Sequence, residues 1–303
     1  MRLTLIYNPT AGQDDHDRGS LHAVLEEHGH DVRIASVKEN GWKQMLSDPG
    51  ELVVVAGGDG TVRKVFKELA SSGVPVTVAP VGSANNVART LGLAERPIEE
   101  LLAGVPGGER RRFEVGEAAA PWGTTPFVES FGGGLFAEVL LRAEDVEQQS
   151  DKVDLGLRLV EDSLRDLPAL EWELEADGVD ASGAYLAIEA MNIRETGPNI
   201  PLAPDADPGD GVLDVALIRP EDRKPLLGYI QSRLGGGRQE PPRFDVVRAG
   251  RLNARPPAGC ALRVDDELWP DDGASVWRTA EVLVRTGDLA VDVIVPRTSD
   301  PGR

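Results

Sequence analysis

The chain reads as a two-domain protein: an N-terminal α/β domain with a doubly wound parallel sheet, followed by a mainly antiparallel, β-rich second domain. Three observations support this. Apolar, β-branched runs at residues 3–7, 32–37, 52–56 and 74–79 are each followed by a polar or helix-patterned stretch, the alternation that parallel βαβ units require. From about residue 110 the texture changes to short strand patterns separated by Gly and Pro. The 303 residues, 41% of them hydrophobic, hold enough apolar material for one large or two ordinary cores.

Taken in order, the first strand pattern ends in "YNPTAG", the third in "AGGDGT" and the fourth in "PVGSANN", all small or polar residues. In an open parallel sheet a ligand lies beyond the carboxyl ends of the strands, so these turns are expected to meet over one nucleotide in a Rossmann-like domain. The third is the most telling. Glycines after the buried run at 52–55 let the backbone turn sharply and approach a bulky group, and the helical spacing of residues 61–70 sets the amides of a helix start beside it. Asp59 places a carboxylate where a phosphate would repel it, a conflict that a divalent cation or a hydroxyl donor resolves.

The second half carries strand patterns at residues 127–131, 170–175, 184–190 and 212–218, with helical stretches at about 137–148 and 154–166. Gly235, Gly236 and Gly237 read as a flexible loop. A last strand pattern, 290–295, is able to return to the first domain or to stay with the second. The expected division is 1–110 for the nucleotide-binding domain, 111–290 for the β-rich substrate domain, and 291–303 for a C-terminal segment free to pack back on the first.

Composition excludes several functions. A net charge of −19 and an isoelectric point near 4.6 argue against nucleic acid, whose binding depends on clustered Lys and Arg. The short run Arg110, Arg111, Arg112 reads as a solvated strand edge first and an anion contact second. A single cysteine, Cys260, excludes an internal disulfide framework and a Cys-based zinc site, and it suits a reducing cytoplasm. The four histidines, His16, His22, His28 and His30, all lie near the first predicted helix, lack an HExxH spacing and read as surface residues. No leader layout and no apolar run of spanning length is seen, so a soluble, cytoplasmic protein is expected.

Six motifs in order resemble the diacylglycerol kinase catalytic-domain superfamily, which includes bacterial lipid kinases and sphingosine kinases: "NPTAG", "GGDGTVRKV", "PVGSANNVAR", "GGGLFAEV", "DGVLDVALI" and "VDDELW". The resemblance implies an ATP-binding α/β domain, a β-rich domain, and phosphoryl transfer to a lipid hydroxyl in the cleft between them. Carried over by position, the ATP contacts are Asn8, Pro9, Thr10, Ala11 and Gly12, then Ser36, then Gly57, Gly58, Asp59, Gly60, Thr61, Val62 and Arg63, and finally Ser83 and Asn85. Asp59 would hold or orient the magnesium that the transfer needs. No P-loop signature is present.

The family's Asp-Gly-Glu motif corresponds to Asp265, Asp266 and Glu267, which makes Glu267 the implied proton acceptor and Asp265 its companion. The family's middle glycine is missing, which raises the question of a positive φ. Asp207, Asp210 and the Val212 carbonyl resemble a loop that binds a second, structural magnesium, and oxygen donors suit that hard cation. Gln13 and Asn86 stand where related bacterial members commonly carry Lys and Asp, so an amide pair replaces an ion pair, while Arg89 remains. Phe136 stands where bacterial forms often have Asp, and Glu138 takes the place of an acidic residue that contacts the lipid head group in sphingosine kinases. The expected partner is a lipid at a membrane surface or micelle, approached transiently, with a homodimer also considered. Two other functions remain open at this stage: a kinase of a soluble metabolite, similar to NAD kinase in its GGDGT turn, and a non-catalytic lipid or nucleotide sensor.

Overall fold

The computed structural model describes residues 1–11, 18–143, 152–270 and 280–297. Two units are resolved, Met1–Val115 together with the chain from Asp288, and Gly116–Gly287.

The first unit runs β1 (Arg2–Tyr7), α1 (Arg18–Glu27), β2 (Asp31–Ser36), α2 (Trp42–Met45), β3 (Leu52–Gly57), α3 (Asp59–Leu69), β4 (Val76–Pro80), α4 (Asn86–Thr90), α5 (Ile98–Ala103) and into β5 (Glu109–Ala120). Its strands are parallel in the order β4-β3-β1-β2. All six residues of β3 are buried, as expected for a strand covered on both faces. Leu3, Leu5, Val54 and Ala79 pack with Leu25, Ile98 and Leu102 to form the core. Helix α3 begins at Asp59, two residues before the apolar spacing suggested, and buries Val62, Val65, Phe66 and Leu69. Phe66 meets Phe113 edge to face at 5.1 Å. His30 departs from the surface reading and is buried, whereas His28 is exposed, His22 is half-buried and His16 lies outside the described residues.

The second unit contains β6 (Gly123–Phe127), β7 (Ser130–Gly134), α6 (Leu135–Ala143), α7 (Lys152–Asp166), β8 (Leu170–Ala176), β9 (Val179–Asp180), β10 (Gly183–Tyr185), β11 (Ala187–Met191), β12 (Glu195–Thr196), β13 (Ile200–Pro201), β14 (Leu213–Ile218), α8 (Arg223–Leu234), β15 (Asp245–Ala249), β16 (Arg251–Arg255), β17 (Leu262–Val264), β18 (Glu267–Leu268) and the start of β19 (Val282–Val295). One antiparallel sheet has the order β15-β14-β11-β7-β17-β18. A second joins β10, β8 and β16 to the early residues of β19. Phe127, Trp172, Leu174, Leu252 and Val284 belong to one core cluster, and helices α6, α7 and α8 contribute Leu135, Leu157, Val160 and Leu226 to another.

Several expected elements change. The single strand at 127–131 is two, because the amides of Val128 and Glu129 donate to the Asp265 carboxylate and interrupt the ladder between β6 and β7. The run at 184–190 divides into β10 and β11, which belong to different sheets. The helix expected at 137–148 starts earlier, at Leu135, and its expected end lies outside the described residues. Gly235 and Gly237 close the end of α8, donating to the carbonyls of Gln231 and Ser232, so the triple glycine is a helix terminus more than a loose loop. The last strand is longer than its pattern, and its end returns to the first unit, where Val293 pairs in parallel with Val76.

Candidate functional site

The parallel register sets the strand ends of the first unit level: Tyr7 lies opposite both Ser36 and Ala56, and Gly57 lies opposite Pro80. The turns after β1, β3 and β4 therefore leave one edge of the sheet side by side. In the first, Asn8 Oδ1 accepts from the Thr10 amide at 3.1 Å and from its hydroxyl at 2.9 Å, and the Ala11 amide returns to the Asn8 carbonyl at 3.1 Å. Gly12 and Gln13 lie outside the described residues, and so does the amide pair expected of Gln13 with Asn86.

The second and third turns touch backbone to backbone. A Cβ on Gly82 would meet the Gly58 Cα at 2.3 Å, whereas one on Gly58 would come within 3.1 Å of the Gly82 Cα, so the turn after β4 has no room for a side chain there. Asn85, in the left-handed region at φ 55°, accepts from the Gly82 amide at 3.0 Å and donates to its carbonyl at 2.7 Å. Asp59 Oδ1 accepts from the Val87 amide at 3.0 Å and ties the start of α3 to the start of α4. The Thr61 and Val62 amides both donate to the Gly58 carbonyl, so they are engaged inside the first turn of α3. The side chains of Thr61, Val62 and Arg63 are buried, and Ser83 is exposed. Ser36 is buried, its Oγ accepting from the Lys38 amide at 3.1 Å.

In the second unit Glu267 is exposed at the first position of β18, opposite Val264. Asp265 has a different setting from the one expected of a companion acid. It is buried at φ 55°, its amide donates to the Ser130 carbonyl at 2.8 Å, and its Oδ1 accepts from the amides of Val128 and Glu129 at 3.0 and 2.8 Å. Its carboxylate thus shapes the turn. The left-handed residue is Asp265 itself, and Asp266, in the position of the missing glycine, needs no positive φ.

Asp207 and Asp210 each accept from an amide two residues on, those of Gly209 and Val212. Asp210 also pairs with Arg248, whose Nε lies 3.7 Å from Asp214. Burial pushes the Asp214 carboxyl above its ordinary range, with Arg248 opposing the shift. Among the described residues no cluster of three acidic, His or Cys side chains forms a metal centre. The oxygens of Asp207, Asp210 and the Val212 carbonyl suit a hard cation, but one bound there would have to share or displace Arg248. Glu138 is half-buried and accepts from Arg142 Nε at 3.2 Å, one turn along α6. Arg89 pairs with Glu95 at 2.9 Å.

Sequence reading missed Glu189 and Arg263, a buried ion pair behind the acidic turn. The available signal was a charged residue inside each of two apolar runs, "LAIEAM" and "ALRV".

Residues 2–118 match the diacylglycerol kinase catalytic domain, and residues 130–284 match the YegS C-terminal NAD kinase beta sandwich-like domain. A diacylglycerol kinase of Bacillus subtilis is 24% identical over 298 residues, covering 93% of this chain and 96% of its own. A probable lipid kinase YegS-like protein of Pseudomonas fluorescens is 29% identical over 276 residues, covering 87% and 86%. A crystal structure of a diacylglycerol kinase from Bacillus anthracis superposes with a TM-score of 0.66 at 20% identity, covering 97% of this chain and 96% of that one, and it supports the fold alone. With these two profiles spanning most of both units, the chain belongs to the family of diacylglycerol kinases and YegS-like lipid kinases.

Proposed function

We propose that the protein transfers the terminal phosphoryl group of ATP, with magnesium, to the hydroxyl of a lipid. The observation that carries this reading is the side-by-side placement of the turns after β1, β3 and β4, two of them in glycine-to-glycine contact, in a chain of this family. Backbone amides and small hydroxyls at such an edge suit phosphate oxygens. Asn8, Gly57 to Gly60, Ser83 and Asn85 would line the nucleotide. Asp59 would orient the magnesium ion, which when bound neutralises charge developing on the transferred group. Glu267, exposed on β18, would take the proton of the attacking hydroxyl. Glu138, with Arg142 beside it, is the residue proposed to meet the lipid head group. The loop from Asp207 to Val212 would hold a second, structural magnesium.

The test is incubation with labelled ATP, magnesium and a total lipid extract, followed by identification of any phosphorylated product. Glu267→Gln should lower kcat by about 10²- to 10⁴-fold, because a base acts on the transition state. ATP affinity should change little. Wild-type turnover in that variant would remove Glu267 from the role. The NAD kinase-like character of the second domain favours one rival, a kinase of a soluble hydroxyl. Activity on a soluble acceptor that persists without detergent or vesicles would select it.

A further inference from the structure

A buried charged pair lies directly behind the acidic turn, and the proposed reaction leaves it unused. Glu189 in β11 and Arg263 in β17 stand on the two strands that flank β7, and in both ladders the residue opposite them is Gly132. Their side chains meet across that glycine. Arg263 Nε donates to Glu189 Oε1 at 3.0 Å and Nη2 donates to Oε2 at 2.6 Å, with the two side chains 6% and 0% exposed. A Cβ on Gly132 would lie 2.2 Å from the Glu189 Cδ, so the missing side chain opens the passage through which the pair meets.

The remaining guanidinium donors point toward the turn and its supports. Nη2 also donates to Ser130 Oγ at 2.9 Å and Thr196 Oγ1 at 2.6 Å, Nη1 donates to the Asp265 carbonyl, and the Phe136 ring covers the guanidinium at 5.6 Å. Asp265 is therefore gripped at its amide, its carboxylate and its carbonyl, two residues before Glu267. A buried ion pair often adds no more stability than apolar residues of similar volume, so stability alone does not account for this one.

We propose that Arg263, held in place by Glu189, is a positioning residue that fixes the angle at which the turn presents Glu267; this rests on Glu267 being the proton acceptor. Misplacing a reacting group by about 1 Å can cost on the order of 100-fold in rate without weakening ground-state binding. The pair reaches the turn through the Asp265 carbonyl, which accepts from Arg263 Nη1.

The experiment replaces both charges at once, Arg263→Met with Glu189→Met, so that no lone charge stays buried. Turnover of dioleoylglycerol in neutral micelles with Mg-ATP is measured below the melting transition, alongside amide exchange over residues 264–268. The expected result is a folded protein with kcat lowered about 10- to 100-fold, unchanged KM for ATP, and faster exchange at the Asp265 amide. Wild-type kcat in the folded double variant, or a loss that disappears when the temperature is lowered, would overturn the proposal. If the double variant does not fold, Arg263→Lys keeps the charge but lacks the planar fork; a kcat drop with KM for ATP unchanged supports the proposal, and wild-type kcat overturns it. Glu267→Gln is run in parallel. Normal turnover in Glu267→Gln defeats the reading of the base, whereas unaltered exchange at Asp265 in the folded variants defeats the positioning role even if Glu267 is essential.

Discussion

His30 shows how burial sets a titration that sequence does not reveal. It follows α1, both ring nitrogens are buried, and neither has a hydrogen-bond partner. Burial lowers its pKa, helped by the positive N-terminus and by His28. A depressed histidine contributes stability that is present above its unfolded value, about 6.5, and is lost as pH falls through the folded value, because the unfolded chain takes up the proton more readily. His30→Leu should therefore flatten the acid side of the stability profile. Melting temperatures at pH 7.5 and 5.5 should diverge less in the variant than in the wild type, and equal slopes would show that the imidazole contributes nothing. Cys260 behaves in the opposite way: burial pushes its thiol up to about 12, so the neutral form persists through the physiological range. Cys260 is thus a buried thiol held neutral.

Between elements, the tightest constraint in the first unit is the contact of the turn after β3 with the turn after β4. Gly82→Ala would press a methyl against the Gly58 Cα at 2.3 Å and the Asn85 Oδ1 at 2.8 Å, and two of the three atoms it would meet are backbone. Forced overpacking of this kind costs about 1–3 kcal/mol. The variant should show a lower urea midpoint at an unchanged slope, together with weaker Mg-ATP binding, since the same shift separates the turns proposed to line the nucleotide. A wild-type midpoint would mean that the turns part without strain. A second junction joins helices: Arg223 at the start of α8 donates to the carbonyls of Leu164, Arg165 and Leu167, capping the end of α7 with a cation where the helix dipole favours one.

On the scale of the whole molecule, a net charge of −19 would set how the protein meets the lipid surface proposed to carry its substrate. The short basic run and the arginine beside Glu138 are paired: Arg110 with Asp292, Arg111 with Glu109, Arg112 with Glu114, and Arg142 with Glu138. None of these offers an uncompensated basic patch. Acidic surfaces are repelled by anionic leaflets within a screening length of about 8–10 Å at ordinary salt. Kinase activity at matched surface lipid fraction should be higher in neutral micelles than in strongly anionic vesicles, and added salt should narrow the gap. Faster turnover on the anionic carrier, lost as salt rises, would contradict the repulsion. Among the described residues no helix is long and apolar enough to cross a membrane.

Local pattern determined the parallel half of the protein almost completely. A strand buried on both faces needs a continuous apolar run, so β1, β3 and β4 were visible as such, and a turn that must come close to another chain segment needs glycine, so Gly57, Gly58 and Gly82 marked the strand ends. The order of six short motifs was likewise a property of the chain alone and pointed to the family before any geometry. The second unit was less legible. Residues 127–131 carry one strand pattern, but the Asp265 carboxylate, well over a hundred positions away, captures two of the amides and divides it. The same holds for Asp265 itself, which in sequence is one acid of three and in the fold is a buried clamp, with Asp266 and Glu267 left exposed beside it. Glu189 and Arg263 are separated by 74 positions and meet only because β7 lies between their strands with a glycine at the crossing. Pairings of that kind depend on which strands become neighbours, and strand neighbours are chosen by burial across the whole unit, which periodicity along the chain does not encode.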